Sequence, residues 1–155
     1  MQVVYFTKPS PIKREPEDAL VVNEAAGVFA AIDGVTPMDT FKDGNGHNGA
    51  YKAANLVKAW LERADAGSSD GGLVEDLLAA NRKLREAMTA HGVKEKHEFW
   101  SCCVAAAQVV DGAFRYAQLG DCMVAVRYRD GRLAELTENR VKGVGQRAKA
   151  KRAAA

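Results

Sequence analysis

Three acidic residues border two short apolar runs near the start of the chain. Asp33 ends an apolar run that begins at Val28, and Glu17 and Asp18 stand directly before a second run at 19–22. If the two runs form an antiparallel hairpin, the start of one strand lies beside the end of the other, so the three carboxylates converge. Carboxylates held together repel one another unless a cation lies among them.

This arrangement predicts a site for a hard divalent cation. Ions such as Mg²⁺ and Mn²⁺ prefer carboxylate, carbonyl and water oxygens as ligands. Gly34 follows Asp33 directly, and glycine permits unusual backbone dihedrals and a close approach to a ligand, which leaves its carbonyl oxygen available. The alternative interpretation is an ordinary Asp-Gly turn after a strand.

The segment 35–49 is rich in glycine and contains a proline, which predicts a long loop at the mouth of this site. Asp39, Asp43 and His47 in the loop are either further ligands or ordinary turn residues, because Asp-Gly and Asn-Gly are common turn dipeptides.

Regular elements must position these groups. Apolar residues recur at intervals of three and four over 50–65 and 73–91, which predicts two amphipathic helices packed as an antiparallel pair on one sheet. A first short strand is predicted over 2–7. From residue 99 onwards, apolar runs separated by Asp-Gly turns predict a β-meander, and Asp121 stands at one of its strand junctions, much as Asp33 does.

Composition sets broad limits on the function. The 155 residues are 47% hydrophobic and 27% charged, with a net charge of +2, which is typical of one globular domain. Basic residues gather beyond Glu138, where no acidic residue follows, and indicate a solvated tail. No aromatic residues are interleaved with them, which argues against nucleic-acid binding.

The remaining general features concern location and cysteine chemistry. The first residues lack the pattern of a signal peptide and no apolar stretch reaches membrane-spanning length, so we expect a cytoplasmic protein without a membrane partner. The three cysteines have neither a disulfide pattern nor metal-ligand spacing, and we interpret them as small apolar strand residues.

Three blocks of sequence occur in a distinctive order. They are Lys13-Arg14-Glu15-Pro16-Glu17-Asp18-Ala19, the run from Val28 to Gly34, and the run from Arg115 through Gly120-Asp121 and Asp130-Gly131 to Leu136-Thr137. Together they resemble the metal-dependent protein serine/threonine phosphatases of type 2C, the PPM family, including its bacterial sporulation-type branch. The resemblance covers about residues 13–139 and only the N-terminal part of the family domain.

The resemblance implies a fold and a site. The fold is α+β, an antiparallel β-sandwich flanked by helices and apparently truncated at its C-terminus. Asp33 would bridge two Mg²⁺ or Mn²⁺ ions, and Glu17 and the Gly34 carbonyl would complete part of the shell. Asp18 would act through bound water, and Asp121 matches a position near an additional metal. By spacing, the phosphate-binding arginine of the family falls on Lys13, with Arg14 adjacent.

The implied activity is hydrolysis of phosphoserine or phosphothreonine by a metal-activated water. The alternative is a catalytically inactive relative that binds a phosphoprotein or a regulatory protein. The family's later metal-binding aspartates would lie beyond residue 139 and are absent here, so we divide the chain into a partial phosphatase domain, 1–139, and a basic tail, 140–155. A sandwich short of strands has an open edge, through which we expect a homodimer to form.

Overall fold

The computed structural model describes residues 2–11, 16–36, 41–63, 65–68, 70–141 and 143. Its elements are β1 (Ala19–Asn23), β2 (Val28–Gly34), α1 (Gly49–Leu61), α2 (Gly72–Ala90), a 3-10 turn (Lys96–Glu98), β3 (Cys102–Val110), β4 (Ala113–Leu119), β5 (Ala125–Arg127) and β6 (Leu133–Glu135). No helix in these ranges is long and apolar enough to cross a membrane.

The strands form two antiparallel sheets. The larger sheet has the order β1-β2-β3-β4, and β5 and β6 form a separate two-stranded sheet. The predicted hairpin of the first two apolar runs is therefore confirmed, with Ala19 opposite Ile32. Two other predictions are wrong. The meander is not continuous, because the chain leaves the sheet after β4, and residues 2–7 pass the sheet without forming a strand.

Both predicted helices are present. They begin one residue before the predicted 50 and 73, and α1 ends at Leu61 rather than 65. Leucine, valine and alanine at intervals of three and four pack onto one face of the larger sheet, where Ile32, Leu61 and Val104 are almost completely buried. The α+β class with antiparallel sheets and two helices is confirmed, and β2 lies between β1 and β3 beneath the helices.

A buried polar network fixes the end of the sheet opposite to the predicted site. Asp76 of α2 accepts hydrogen bonds from an Arg63 Nη atom at 3.2 Å and from the backbone N–H of Gly67. Asn23, the last residue of β1, donates to the Arg63 carbonyl at 2.7 Å. Because buried polar groups favour hydrogen-bonded partners, the network ties the connection between the helices to the sheet.

Asp76→Ala should lower the free energy of unfolding by about 3 kcal/mol, because it removes the buried acceptor of one Arg63 Nη atom and of the buried Gly67 N–H. Urea denaturation measures the loss. The matched control is Glu86→Ala, which removes an exposed ion pair with Lys83 and should cost less than about 0.5 kcal/mol. Similar losses in the two variants would contradict a stabilising role for the network.

Candidate functional site

The hairpin register brings the first two carboxylates together. Because Ala19 pairs with Ile32, the residues one step further along each strand, Asp18 and Asp33, are also neighbours. Their side chains are within hydrogen-bond contact. Partial burial, followed by the charge of Asp18, raises the pKa of Asp33 above its usual value, although the side chain stays open to solvent on one side.

Asp121 approaches Asp33 from the end of β4, on the side of β2 opposite to β1. Asp33 is paired with Cys103 of β3, and the Cys103 thiol is in hydrogen-bond contact with Asp121. Gly120 makes this approach possible, because its φ of +79° favours glycine and a Cβ atom there would collide with the Cys103 sulfur. The charge of Asp121 also contributes to the raised pKa of Asp33.

Glu17 lies at the edge of the cluster and has the weakest of these effects on the pKa of Asp33. Its Oε1 accepts a hydrogen bond from Asn48 Nδ2 at 2.6 Å, and its Oε2 accepts one from Thr36 Oγ1 at 2.9 Å. Sequence reasoning missed both partners. An asparagine directly before a helix is a recognisable N-cap signal, but nothing in the sequence indicates that Thr36 contacts Glu17.

Gly34 has a different reason to be glycine from the one that the sequence suggested. Its φ lies outside the left-handed region, so no unusual dihedral is involved. A Cβ atom at this position would lie 2.6 Å from the Glu17 carbonyl oxygen and 2.7 Å from that of Ala50. The hydrogen atom of glycine therefore allows β2 to pass between the chain before β1 and the start of α1.

The predicted loop ligands have separate roles. Asp43 accepts hydrogen bonds from Lys52 Nζ at 2.9 Å and from the backbone N–H groups of Asn45 and His47. The Lys52 hydrogen bond is the main reason that the pKa of Asp43 is well below its usual value. Asp43 thus stabilises a turn, as the alternative interpretation had it, and His47 stacks on Tyr51.

Three candidates fall outside the described residues. They are Lys13 and Arg14, proposed for phosphate binding, and the loop residue Asp39.

The cysteines near the cluster are free thiols. Burial raises the pKa of Cys102 to about 12 and that of Cys122 to about 11, and it also raises the pKa of Cys103. Since the thiolate is the reactive form of cysteine, these side chains stay protonated near neutral pH and are poorly suited to act as nucleophiles.

The donor chemistry of the cluster fits a hard divalent cation with a water-rich shell. Among the described residues, no group of three or more His, Cys, Asp or Glu side chains is arranged to enclose a metal ion. Asp18 and Asp33 nevertheless place two carboxylates in contact, with the charges of Asp121 and Glu17 nearby. Mg²⁺ typically binds proteins through one or two carboxylates and retains several waters, so this incomplete set suits it.

The chain belongs to the protein phosphatase 2C family, whose sequence model matches residues 15–148. Comparison with curated protein sequences finds no match.

Similar solved structures include the serine/threonine phosphatase PstP/Ppp of Mycobacterium tuberculosis, at 19% identity and a TM-score of 0.64 over 88% of this chain and 55% of that one. PppA of Pseudomonas aeruginosa has 20% identity and a TM-score of 0.64 over 88% and 56%. The catalytic domain of PstP in complex with two manganese ions has 20% identity and a TM-score of 0.60 over 88% of this chain and 56% of that one. The chain therefore has their fold and spans slightly more than half their length, which confirms the expected partial match.

Gly34→Ala should lower the free energy of unfolding by about 2 kcal/mol or more, because backbone carbonyls cannot move aside as a flexible side chain would. Chemical denaturation measures this loss. Gly44→Ala is the control, since it introduces the same methyl group where no atom lies within 4 Å. Equal stability of the two variants would show that the close approach at Gly34 is not constraining.

The raised pKa of Asp33 predicts a pH dependence of stability in chelator-treated protein. The folded state keeps this proton to a higher pH than the unfolded state does, so the contribution of Asp33 to stability falls as the pH rises from its usual pKa of 3.8 through the raised value. Asp33→Asn removes the charge and should be more stable than the parent at neutral pH.

Urea unfolding of both proteins from about pH 4 to about pH 7 tests the direction of this change in the free energy of unfolding. Excess Mn²⁺ should then stabilise the parent selectively, because a ligand that binds only the folded state raises its stability. An Asp33→Asn variant that is less stable than the parent at neutral pH without metal would contradict the proposed repulsion.

Proposed function

We propose that this chain provides a metal-dependent phosphatase centre that hydrolyses phosphoserine or phosphothreonine in proteins. The observation that carries the proposal is the contact between Asp18 and Asp33 at the end of the hairpin, where partial burial, the charge of Asp18 and the lesser charges of Asp121 and Glu17 raise the pKa of Asp33. A fold that holds like charges together without a cation loses stability. Membership of the protein phosphatase 2C family supports the same activity, and one similar structure, PstP, contains two manganese ions.

Each residue of the cluster has a distinct part in this proposal. Asp33 would hold the cation, the Gly34 carbonyl and Glu17 would be further oxygen donors, Asp18 would act through bound water, and Asp121 would add negative charge nearby. When bound, divalent ions such as Mg²⁺ or Mn²⁺ would acidify water towards hydroxide and offset the charge of the phosphoryl group. Two ions are the number that the family resemblance implies.

The protein's own side chains would orient the substrate, and a water molecule would be the nucleophile. Lys13 and Arg14 are the proposed phosphate-binding residues, and a guanidinium offers the two parallel donors that suit a phosphate best. The protonated state of Cys102 and Cys122 favours direct attack by water over a covalent cysteine intermediate.

The wider biological role also belongs to the proposal. We infer a cytoplasmic protein in signalling whose partners are phosphoproteins or regulatory proteins, with a homodimer formed through an open sheet edge. The edge strands of the larger sheet are β1 and β4. The phosphatase region is assigned to residues 1–139 and the basic tail to 140–155, of which only 140, 141 and 143 are described.

Mn²⁺-dependent hydrolysis of an aryl phosphate, followed by a phosphothreonine peptide, tests the activity. Asp33→Ala and a chelator should each reduce turnover by at least about 100-fold, because the variant loses a ligand of the cation and the chelator removes the cation itself. Asp130→Ala is the matched control, since it removes an exposed aspartate paired with Arg132, and it should retain the activity of the parent.

Two outcomes would contradict the proposal. Turnover that survives both Asp33→Ala and chelation would mean that the cluster is not the catalytic site. A folded parent that binds Mn²⁺ but hydrolyses neither substrate would favour the alternative function, a phosphoprotein-binding or regulatory module.

A further inference from the structure

Glu17 is oriented by two neutral donors that lie outside the carboxylate cluster. Asn48 Nδ2 donates to Oε1 at 2.6 Å and Thr36 Oγ1 donates to Oε2 at 2.9 Å. Both donors are uncharged, so these two contacts fix the direction of the carboxylate without neutralising it. The two hydrogen bonds oppose the repulsion that Asp33 and Asp18 exert on the flexible Glu17 side chain.

The orientation of the Asn48 amide is determined by the helix that it caps. Asn48 is the N-cap residue of α1, and its Oδ1 accepts a hydrogen bond from the backbone N–H of Tyr51 at 3.1 Å. An amide that uses its oxygen in this way must direct its NH₂ group elsewhere. Here the NH₂ group faces Glu17, so the same side chain starts the helix and restrains the carboxylate.

The loop before α1 holds Asn48 in place. Asp43 closes the turn by accepting hydrogen bonds from the backbone N–H groups of Asn45 and His47, at 2.9 and 3.0 Å. His47 then stacks on Tyr51 with 3.9 Å between ring centroids. The segment on both sides of Asn48 is therefore fixed before any ligand arrives.

We propose that Asn48, assisted by Thr36, is a positioning residue for the metal centre and acts through the carboxylate of Glu17. The inference rests on the proposed function, because it assumes that Glu17 adds negative charge to a bound divalent cation. Residues that orient the ligands of a metal typically change its affinity 10- to 100-fold. Since Glu17 lies at the edge of the cluster, we expect about the lower of these values.

The test measures the dissociation constant of Mn²⁺ by isothermal titration calorimetry, together with the thermal midpoint of each apo protein. Asn48→Ser keeps a good N-cap residue but has no amide to reach Glu17, whereas Asn48→Ala removes both functions. Both variants should weaken Mn²⁺ binding about 10-fold. Only Asn48→Ala should lower the thermal midpoint clearly, which separates the positioning role from a structural one.

A double-mutant cycle shows whether Asn48 acts through Glu17. Glu17→Gln should weaken Mn²⁺ binding, and adding Asn48→Ser to this background should weaken it no further. Thr36→Val removes the second donor at nearly constant volume and should also weaken binding in the parent but not in Glu17→Gln. An unchanged dissociation constant in Asn48→Ser, or a full effect of Asn48→Ser in the Glu17→Gln background, would overturn the inference.

Asp33→Ala distinguishes this failure from failure of the proposed function. If Mn²⁺ binding requires Asp33 but is indifferent to Asn48, only the positioning role is wrong. If Mn²⁺ binds equally well without Asp33, or does not bind the parent at all, the metal centre itself is wrong, and so is the role of Asn48.

Discussion

The repulsion between Asp33 and Asp18 is the interaction on which the site depends. The two carboxylates would separate in a flexible chain, but the hairpin fixes them one step beyond the pair of Ala19 and Ile32. Ile32 is held in turn by the buried contacts of β2 with the helices. The packing of the core thus supplies the energy that keeps the charges together, and a cation that binds there would relieve the repulsion.

The two ends of the larger sheet illustrate opposite uses of polar groups. At the end near Asn23, Arg63 and Asp76, an ion pair and hydrogen bonds join the helices to the sheet. At the end near Asp33, partial burial and neighbouring like charges raise the pKa of Asp33. Departures from local stability of this kind are typical of functional sites.

The site is also attached to its surroundings through backbone contacts. Gly34 passes within van der Waals distance of the carbonyl groups that precede β1 and begin α1, and Asn48 joins the first turn of α1 to Glu17. Hairpin and helix therefore meet at the carboxylates. The membership of the protein phosphatase 2C family and the fold follow from the chain itself, whereas its activity depends on how the cluster binds metal.

The sequence by itself determined the local elements and the first part of the site. Two short apolar runs with acidic ends predicted the hairpin and the meeting of Asp18 with Asp33, because strand pairing at this separation follows from local pattern. The periodicity of apolar residues predicted both helices for the same reason. The Asp-Gly turn at 111–112 likewise predicted the pairing of β3 with β4.

Only the tertiary structure decided which distant groups join them. Asp121 reaches the cluster because β3 pairs with both β2 and β4, and this order of strands is not encoded by any short pattern. The contacts of Asn48 and Thr36 with Glu17, and the space that requires glycine at position 34, depend on how α1 docks against the hairpin. Such contacts join residues that are remote in sequence, so packing of the whole domain determines them rather than local preference.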